Sequence, residues 1–263
     1  MNYRGAWALV RHTWSSWLQH RAFFFLLAFG WMIPPLIYLF VWSTAAEGRT
    51  IGGLTRGEFI AYYLALIIVN QLTYSQTNWT VGDIIRDGGM NVLLLRPISP
   101  IFDAVASELA GKVVYLAFVL PVVTILTMLL KPELELRPIN ILAFAPALLL
   151  GWLLRFLWGY WLALLAFWAI RADSLLALQD ALVFLLAGQV APVAVLPPFM
   201  QATAIALPFR YMVGFPVEVL TNQLNSRALL TGFALQIGWL AITAGLFKLL
   251  WRMGLRRYTA VGG

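Results

Sequence analysis

Six stretches of this chain are apolar over roughly the 20 residues a helix needs to cross a bilayer, with polar or proline-rich segments between them. They cover residues 22–42, 59–81, 104–130, 141–170, 174–195 and 229–251. The pattern predicts an all-α integral membrane protein with about six transmembrane helices in a single domain, 1–263. The fourth stretch is long enough to tilt or to extend past the hydrocarbon. The first contains Pro34 and Pro35, whose missing donors should kink or break the helix. Residues 1–21 follow another pattern. Tyr3, Trp7, Val10, Trp14, Trp17 and Leu18 recur at spacings of three or four, and Arg4, Arg11, His12, Ser15 and Gln19 fall mostly elsewhere around the helix. Tryptophans flanked by arginines favour the headgroup layer, so this segment reads as an amphipathic helix lying on the membrane. It has neither the continuous apolar core nor the cleavage site of a signal peptide.

Two of the connecting segments carry detail. Residues 82–100 read GDIIRDGGMNVLLLRPISP, with charges at Asp83, Arg86, Asp87 and Arg96. Asp83 can cap a helix N-terminus. Gly88 and Gly89 break that turn, MNVLLLR continues, and Pro97 ends it. Ile84 and Ile85 offer apolar contacts beside the charges, as a docking surface requires. Residues 196–228 carry an apolar run at 199–207, about half a span long, punctuated by Pro197, Pro198, Pro208 and Pro216. Runs this short read as re-entrant or interfacial. The expectation is a helical hairpin dipping into the outer leaflet, with Arg210 and Glu218 on its polar parts; a proline-bent seventh span is the alternative. In the last span, Ala234, Gly238, Ala241 and Gly245 form a seam of small residues that either admits another helix or serves internal packing.

Composition agrees with the pattern. Apolar residues make up 62% and charged residues 11%, against about 45–50% and about 25% in soluble domains. The net charge of +7 fits basic loops facing anionic lipid better than a nucleic-acid partner. Counting Lys and Arg by loop, with Lys112 assigned to the inner side, puts eleven inside and six outside when the N-terminus is inside. The positive-inside rule then places both termini, and residues 82–100, in the cytoplasm of a multi-pass inner or plasma membrane protein. Cysteine is absent and histidine occurs only at His12 and His20, so no thiolate or histidine metal site is expected.

Catalytic chemistry finds no foothold. Most acidic residues fall in loops or at span ends, with no nucleophile elbow nearby. Gly111 and Lys112 are followed by Val113, and Ala106 stands where a phosphate-binding loop needs glycine. No catalytic residue, metal or cofactor is therefore expected on this chain. Polar residues inside the spans remain to be explained. Asn70, Gln71, Thr73, Ser75, Gln76 and Asn78 crowd one half of the second span, and Gln189 and Gln236 lie in later ones. Unsatisfied polar groups in hydrocarbon cost several kcal/mol each. Asn70, Gln71, Thr73, Gln76 and Gln189 are thus candidates for a translocation path, with interhelical hydrogen bonding as the alternative. Arg155 is an intramembrane charge among Trp152, Phe156, Trp158, Tyr160 and Trp161. It is expected to snorkel to the outer headgroups and stack on these neighbours, with a functional role as the alternative.

Four segments carry a family resemblance: DIIRDGGMNVLLLRPISP, GQVAPVAVLPP, LPFRYMVGFPVEVL and WRMGLRRYTAVG. In their order and spacing the chain resembles the six-span permease subunits of export-type (type-2) ABC transporters. The resemblance implies two separate ABC ATPase subunits that hold ATP and Mg, a second permease subunit, identical or homologous, and surrounding membrane lipids. It also implies a cytoplasmic coupling helix after span two that fits a groove on the ATPase. Asp83, Ile84, Ile85, Arg86, Asp87, Met90, Leu93, Leu94 and Arg96 would form it. The aromatic-rich spans favour a lipid-like or amphipathic substrate over a sugar or ion. A polytopic enzyme acting on lipids, and a scaffold or sensor subunit, are the rival readings.

Overall fold

A computed structural model describes residues 11, 14, 21–168 and 173–258, with the side chains of 21–28 and 77 outside that description. Of the expected N-terminal amphipathic helix only Arg11 and Trp14 are described, both helical; the rest lies outside the described residues, as do Arg171 and the end of the C-terminal motif. Eleven α-helices follow in order among the described residues from Arg21 on: α1 (Arg21–Ala45), α2 (Arg56–Thr73), α3 (Thr77–Arg86), α4 (Met90–Leu94), α5 (Pro100–Leu130), α6 (Pro138–Leu164), α7 (Asp173–Leu186), α8 (Pro198–Ala206), α9 (Phe209–Met212), α10 (Gly214–Leu220) and α11 (Ser226–Arg257). Short 3-10 turns occupy Leu165–Phe167 and Val193–Val195. There is no β-strand among them.

Local chemistry sets the ends. Thr55 opens α2 with a reciprocal capping box: its hydroxyl accepts from the Glu58 amide, and the Thr55 amide donates to the Glu58 carboxylate at 2.8 Å. Proline opens α5 and α6, where its missing N–H costs nothing. Asn225 caps α11 by accepting from the Ala228 amide at 2.8 Å.

Among the described residues, three helices are long and apolar enough to cross a membrane: Pro100–Leu130, Pro138–Phe167 and Ser226–Arg257. Helix α1 is apolar over Phe29–Ala45, the part whose side chains are described. The protein is thus a multi-pass, all-α membrane protein. Helix α2 is buried along nearly all its length and contacted by α1, α5, α6 and α10. Phe59, Tyr62, Leu66, Val69, Leu154, Val183, Tyr211 and Phe215 belong to the main core. A smaller core at the other end joins Val81, Ile85, Met90, Ala104, Phe156 and Tyr160. Leu120, Ile125, Met128 and Leu129 of α5 and Leu230, Ile237, Ile242 and Leu249 of α11 face outward, as suits lipid.

Several boundaries differ from the pattern-based expectation. The helix runs unbroken through Pro34 and Pro35. The second stretch is interrupted instead, between α2 and α3, although no proline or glycine lies in residues 70–80. The fifth stretch ends at Leu186 rather than Val195. The described part of this helix, Asp173–Leu186, covers 14 residues, about 21 Å at 1.5 Å per residue; residues 169–172 before it lie outside the described residues. Residues 187–192 leave the helix because their carbonyls are taken elsewhere: Tyr62 donates to Gly188 O at 2.9 Å, while Tyr63 and Trp42 both donate to Val190 O. Segment 196–228 folds into three short helices. Of these, α9 and α10 are buried against α6, joined by an ion pair between Arg210 and Glu218 at 2.5 Å.

Candidate functional site

The gap between α2 and α3 is the centre of a buried polar cluster. Tyr74 leaves the helix with ψ 138°, and the next helix begins at Thr77. Two bonds account for the break. The Thr73 hydroxyl donates back to Val69 O at 2.9 Å, a bond that bends helices. Lys112 of α5 inserts its ammonium where the ladder is open, donating to Tyr74 O at 2.7 Å. Lys112 also pairs with Glu108, one turn back on α5, at 3.0 Å. Glu108 accepts from Ser75 at 3.2 Å, and Tyr115 donates to the Gln76 side-chain oxygen at 2.7 Å. Helix α5 thus holds the gap residue by residue. The Trp14 indole donates to Ala110 O at 2.9 Å, which brings the N-terminal segment to this level of α5.

Arg155 of α6 closes the opposite side. Only 3% exposed, it donates to Asn70 Oδ1 at 2.8 Å and Thr73 Oγ1 at 3.4 Å. Its guanidinium lies 5.0 Å from the centre of the Tyr74 ring, and Asp180 of α7 stands 3.9 Å away. Below it, Asn78 of α3 donates to Phe156 O at 3.3 Å. That approach requires glycine at 159, because a Cβ there would collide with the Asn78 amide. Two cations and two carboxylates therefore meet inside an apolar bundle. Their mutual pairing offsets a desolvation cost that would be several kcal/mol for each ion alone.

These contacts revise the reading of Arg155. It neither snorkels to the outer headgroups nor stacks on its own helical neighbours; its ring partner is Tyr74, across the bundle. A guanidinium given an amide oxygen, a hydroxyl, a π-face and a carboxylate has no need of water. Lys112 is buried within α5 and so leaves the inner-loop charge count. Asn70, Thr73 and Gln76 converge here through interhelical hydrogen bonds, and Gln71 is buried on the same helix as Asn70. Gln189 does not join them: it follows α7 in the connection tied to Tyr62 and Tyr63, whereas Asn70 lies two turns further along α2. Gln236 is used for packing, donating to Ala147 O and Tyr211 O at 2.9 Å each. Sequence reasoning passed over Glu108, Lys112, Tyr115 and Asp180. The available signal was the i,i+4 spacing of Glu108 and Lys112 within an apolar helix.

The segment beyond the gap presents a mixed surface. Asp83 does not cap a helix; it lies near the end of α3, paired with Arg86. Arg86 also reaches Asp173 at the start of α7, at 3.3 Å. Gly88 adopts φ +75°, a left-handed turn that glycine enters without a Cβ penalty. It separates α3 from α4. Ile85 and Met90 are buried in the smaller core, and Ile84 and Leu93 pack against it. Outward face Asp83, Asp87, Val92, Leu94, Leu95 and Arg96, with Leu95 87% exposed. Arg96 approaches Asp103 at 3.6 Å. Helix α4 spans only Met90–Leu94, so the expected helical continuation to Arg96 stops two residues early.

A family model described as an ABC-2 family transporter protein matches residues 31–262. The chain belongs to the ABC-2 transporter family. No curated protein matches it. Membership in the ABC-2 family points to a permease component of an ABC transporter, a membrane transport subunit rather than an enzyme, that associates with an ABC ATPase. The match covers both the polar gap and the exposed strip after it.

Proposed function

We propose that this ABC-2 permease works in an exporter of lipid-like or amphipathic molecules, driven by ATPase subunits that dock on α3, α4 and the residues leading to α5. The observation that carries this reading is the outward strip Asp87, Val92, Leu94, Leu95 and Arg96. Exposed leucines ringed by charge are what a specific protein partner can desolvate, whereas water alone disfavours them. Ile85 and Met90 anchor the strip from behind. In this reading the chain crosses the membrane six times, α8 to α10 form the outer re-entrant segment, both termini face the cytoplasm and a second permease subunit completes the path. Asn70, Gln71, Thr73, Gln76 and Gln189 shape the wall of that path rather than bind its cargo; Asn70 accepts from Arg155, and Gln76 accepts from Tyr115.

Arg86 is a poor probe of docking, because it holds Asp83 and Asp173 in its own subunit. Leu95→Asp with Val92→Asp is the better test. Both side chains point outward, so the variant should extract and run as the parent does on size exclusion. The ATPase should no longer co-purify with it. Co-purification at the parental level sinks the docking assignment.

A further inference from the structure

We infer that residues 74–76 form a hinge, and that Glu108 and Lys112 are positioning residues that set the angle between α2 and α3. The inference rests on the docking reading above and deepens it, since it names the joint through which movement of α3 and α4 would reach the membrane-buried α2.

Three independent observations support it. First, the joint is built by side chains and not by proline or glycine. Every residue of the gap is bonded to α5: Tyr74 O accepts from Lys112, Ser75 donates to Glu108, and Gln76 accepts from Tyr115. Backbone polar groups cannot stay open in hydrocarbon, so a gap whose open carbonyl is satisfied by an ammonium on another helix persists only while that ammonium is in place. Exchange of the Lys112 bond for the helix's own ladder gives the joint two discrete arrangements, as a switching element requires. Second, α3 is coupled to the polar cluster by α7 as well as by the gap itself. Arg86 links its far end to Asp173 on α7, and Asp180 on the same α7 faces Arg155. A displacement at the docking strip therefore meets the polar cluster along two routes, through α3 and through α7. Third, α3 has room on one side. A pocket of about 150 Å³, partly open to the surface, lies between α3, α4, α5 and α6, lined by Thr80, Ile84, Leu93, Asp103, Ala104 and Tyr160. Close-packed interiors resist rotation, and α3 is not close-packed on this side.

The chain has no cysteine, which makes a distance measurement direct. Spin labels are placed through Asn91→Cys on α4, which packs with α3 in the smaller core and stays clear of the pocket, and Lys248→Cys on α11, in the complex with its ATPase. Distances are read by pulsed electron resonance without nucleotide and after trapping with ATP and vanadate. The parent should show a shift between the two states. Glu108→Gln with Lys112→Met removes the latch without leaving an unpaired charge. This variant should retain the ATPase and lose the shift, and Lys112→Arg should keep it. Should the double variant not yield folded complex, Ala104→Leu fills the pocket without touching a polar partner and should also abolish the shift. A normal shift in either variant overturns the hinge. Absence of any ATPase from the parent complex overturns the docking reading instead, so the two failures are separable.

Discussion

Arg155 and Lys112 occupy the same layer of the bundle but are held differently. Arg155 spreads its donors over Asn70 and Thr73 with Tyr74 beneath and Asp180 beside it. Lys112 concentrates its charge on one carboxylate and one carbonyl. The geometry predicts unequal tolerance. Arg155→Met should lower stability in detergent by about 3 kcal/mol, the usual cost of stranding a buried partner. Arg155→Lys should restore little of it, because an ammonium cannot reproduce the planar fork. For the other pair, Glu108→Gln and Lys112→Met should each destabilise more than the double variant does, since each alone leaves a buried charge unmatched. Thermal melts of the four proteins check the order; equal and additive losses would mean that the pair is solvated. At this scale the sequence was half legible. The residue types and their crowding on one half of the second span were visible. Their partners were not, because Asn70 with Arg155 and Ser75 with Glu108 are far apart along the chain and nothing local records them.

Among the elements, breaks in the helices separate local propensity from tertiary control. Pro34 and Pro35 each remove a backbone donor, yet α1 continues through both. Residues 70–80 contain no helix breaker, yet the helix stops at Thr73. Neighbouring helices decide both outcomes. A tertiary donor at Tyr74 O stabilises the gap, and α2 and α5 pack against α1. Pro34→Ala with Pro35→Ala should therefore leave the fold intact and raise the melting temperature, as two missing ladder bonds are regained in a helix already formed. A lower melting temperature would show that the prolines create packing the alanines lose. The seam of small residues illustrates the same division. Its four positions lie on the outward face of α11, and a Cβ at Gly238 or Gly245 would meet no atom of this chain. Its period was readable; the side it faces was not.

For the whole molecule, orientation is the property that charge alone addresses. Removing Lys112 from the inner count weakens the asymmetry without reversing it, so the proposed arrangement, with α4 and the end of α11 on the cytoplasmic side, still agrees with the positive-inside rule. Single cysteines introduced through Leu95→Cys, Arg256→Cys and Glu135→Cys test this in sealed vesicles. The first two should react with a membrane-impermeant maleimide only from the cytoplasmic face, and the third only from the opposite face. Labelling of all three from one face would refute the six-crossing arrangement.

The sequence alone specified a membrane protein of helices, with loops of distinct character. Hydrophobic length, charge asymmetry and glycine or proline punctuation are local and additive, so they survive in one dimension. The strip at residues 82–100 stood out on those grounds. Only the tertiary structure decided that its apolar residues divide into an inward pair, Ile85 and Met90, and an outward set at Val92, Leu94 and Leu95. It alone located the hinge, because that break is made by an ammonium 38 residues away in sequence. An ion pair or an open carbonyl in hydrocarbon acquires its energy from its partner, and the choice of partner is settled by packing.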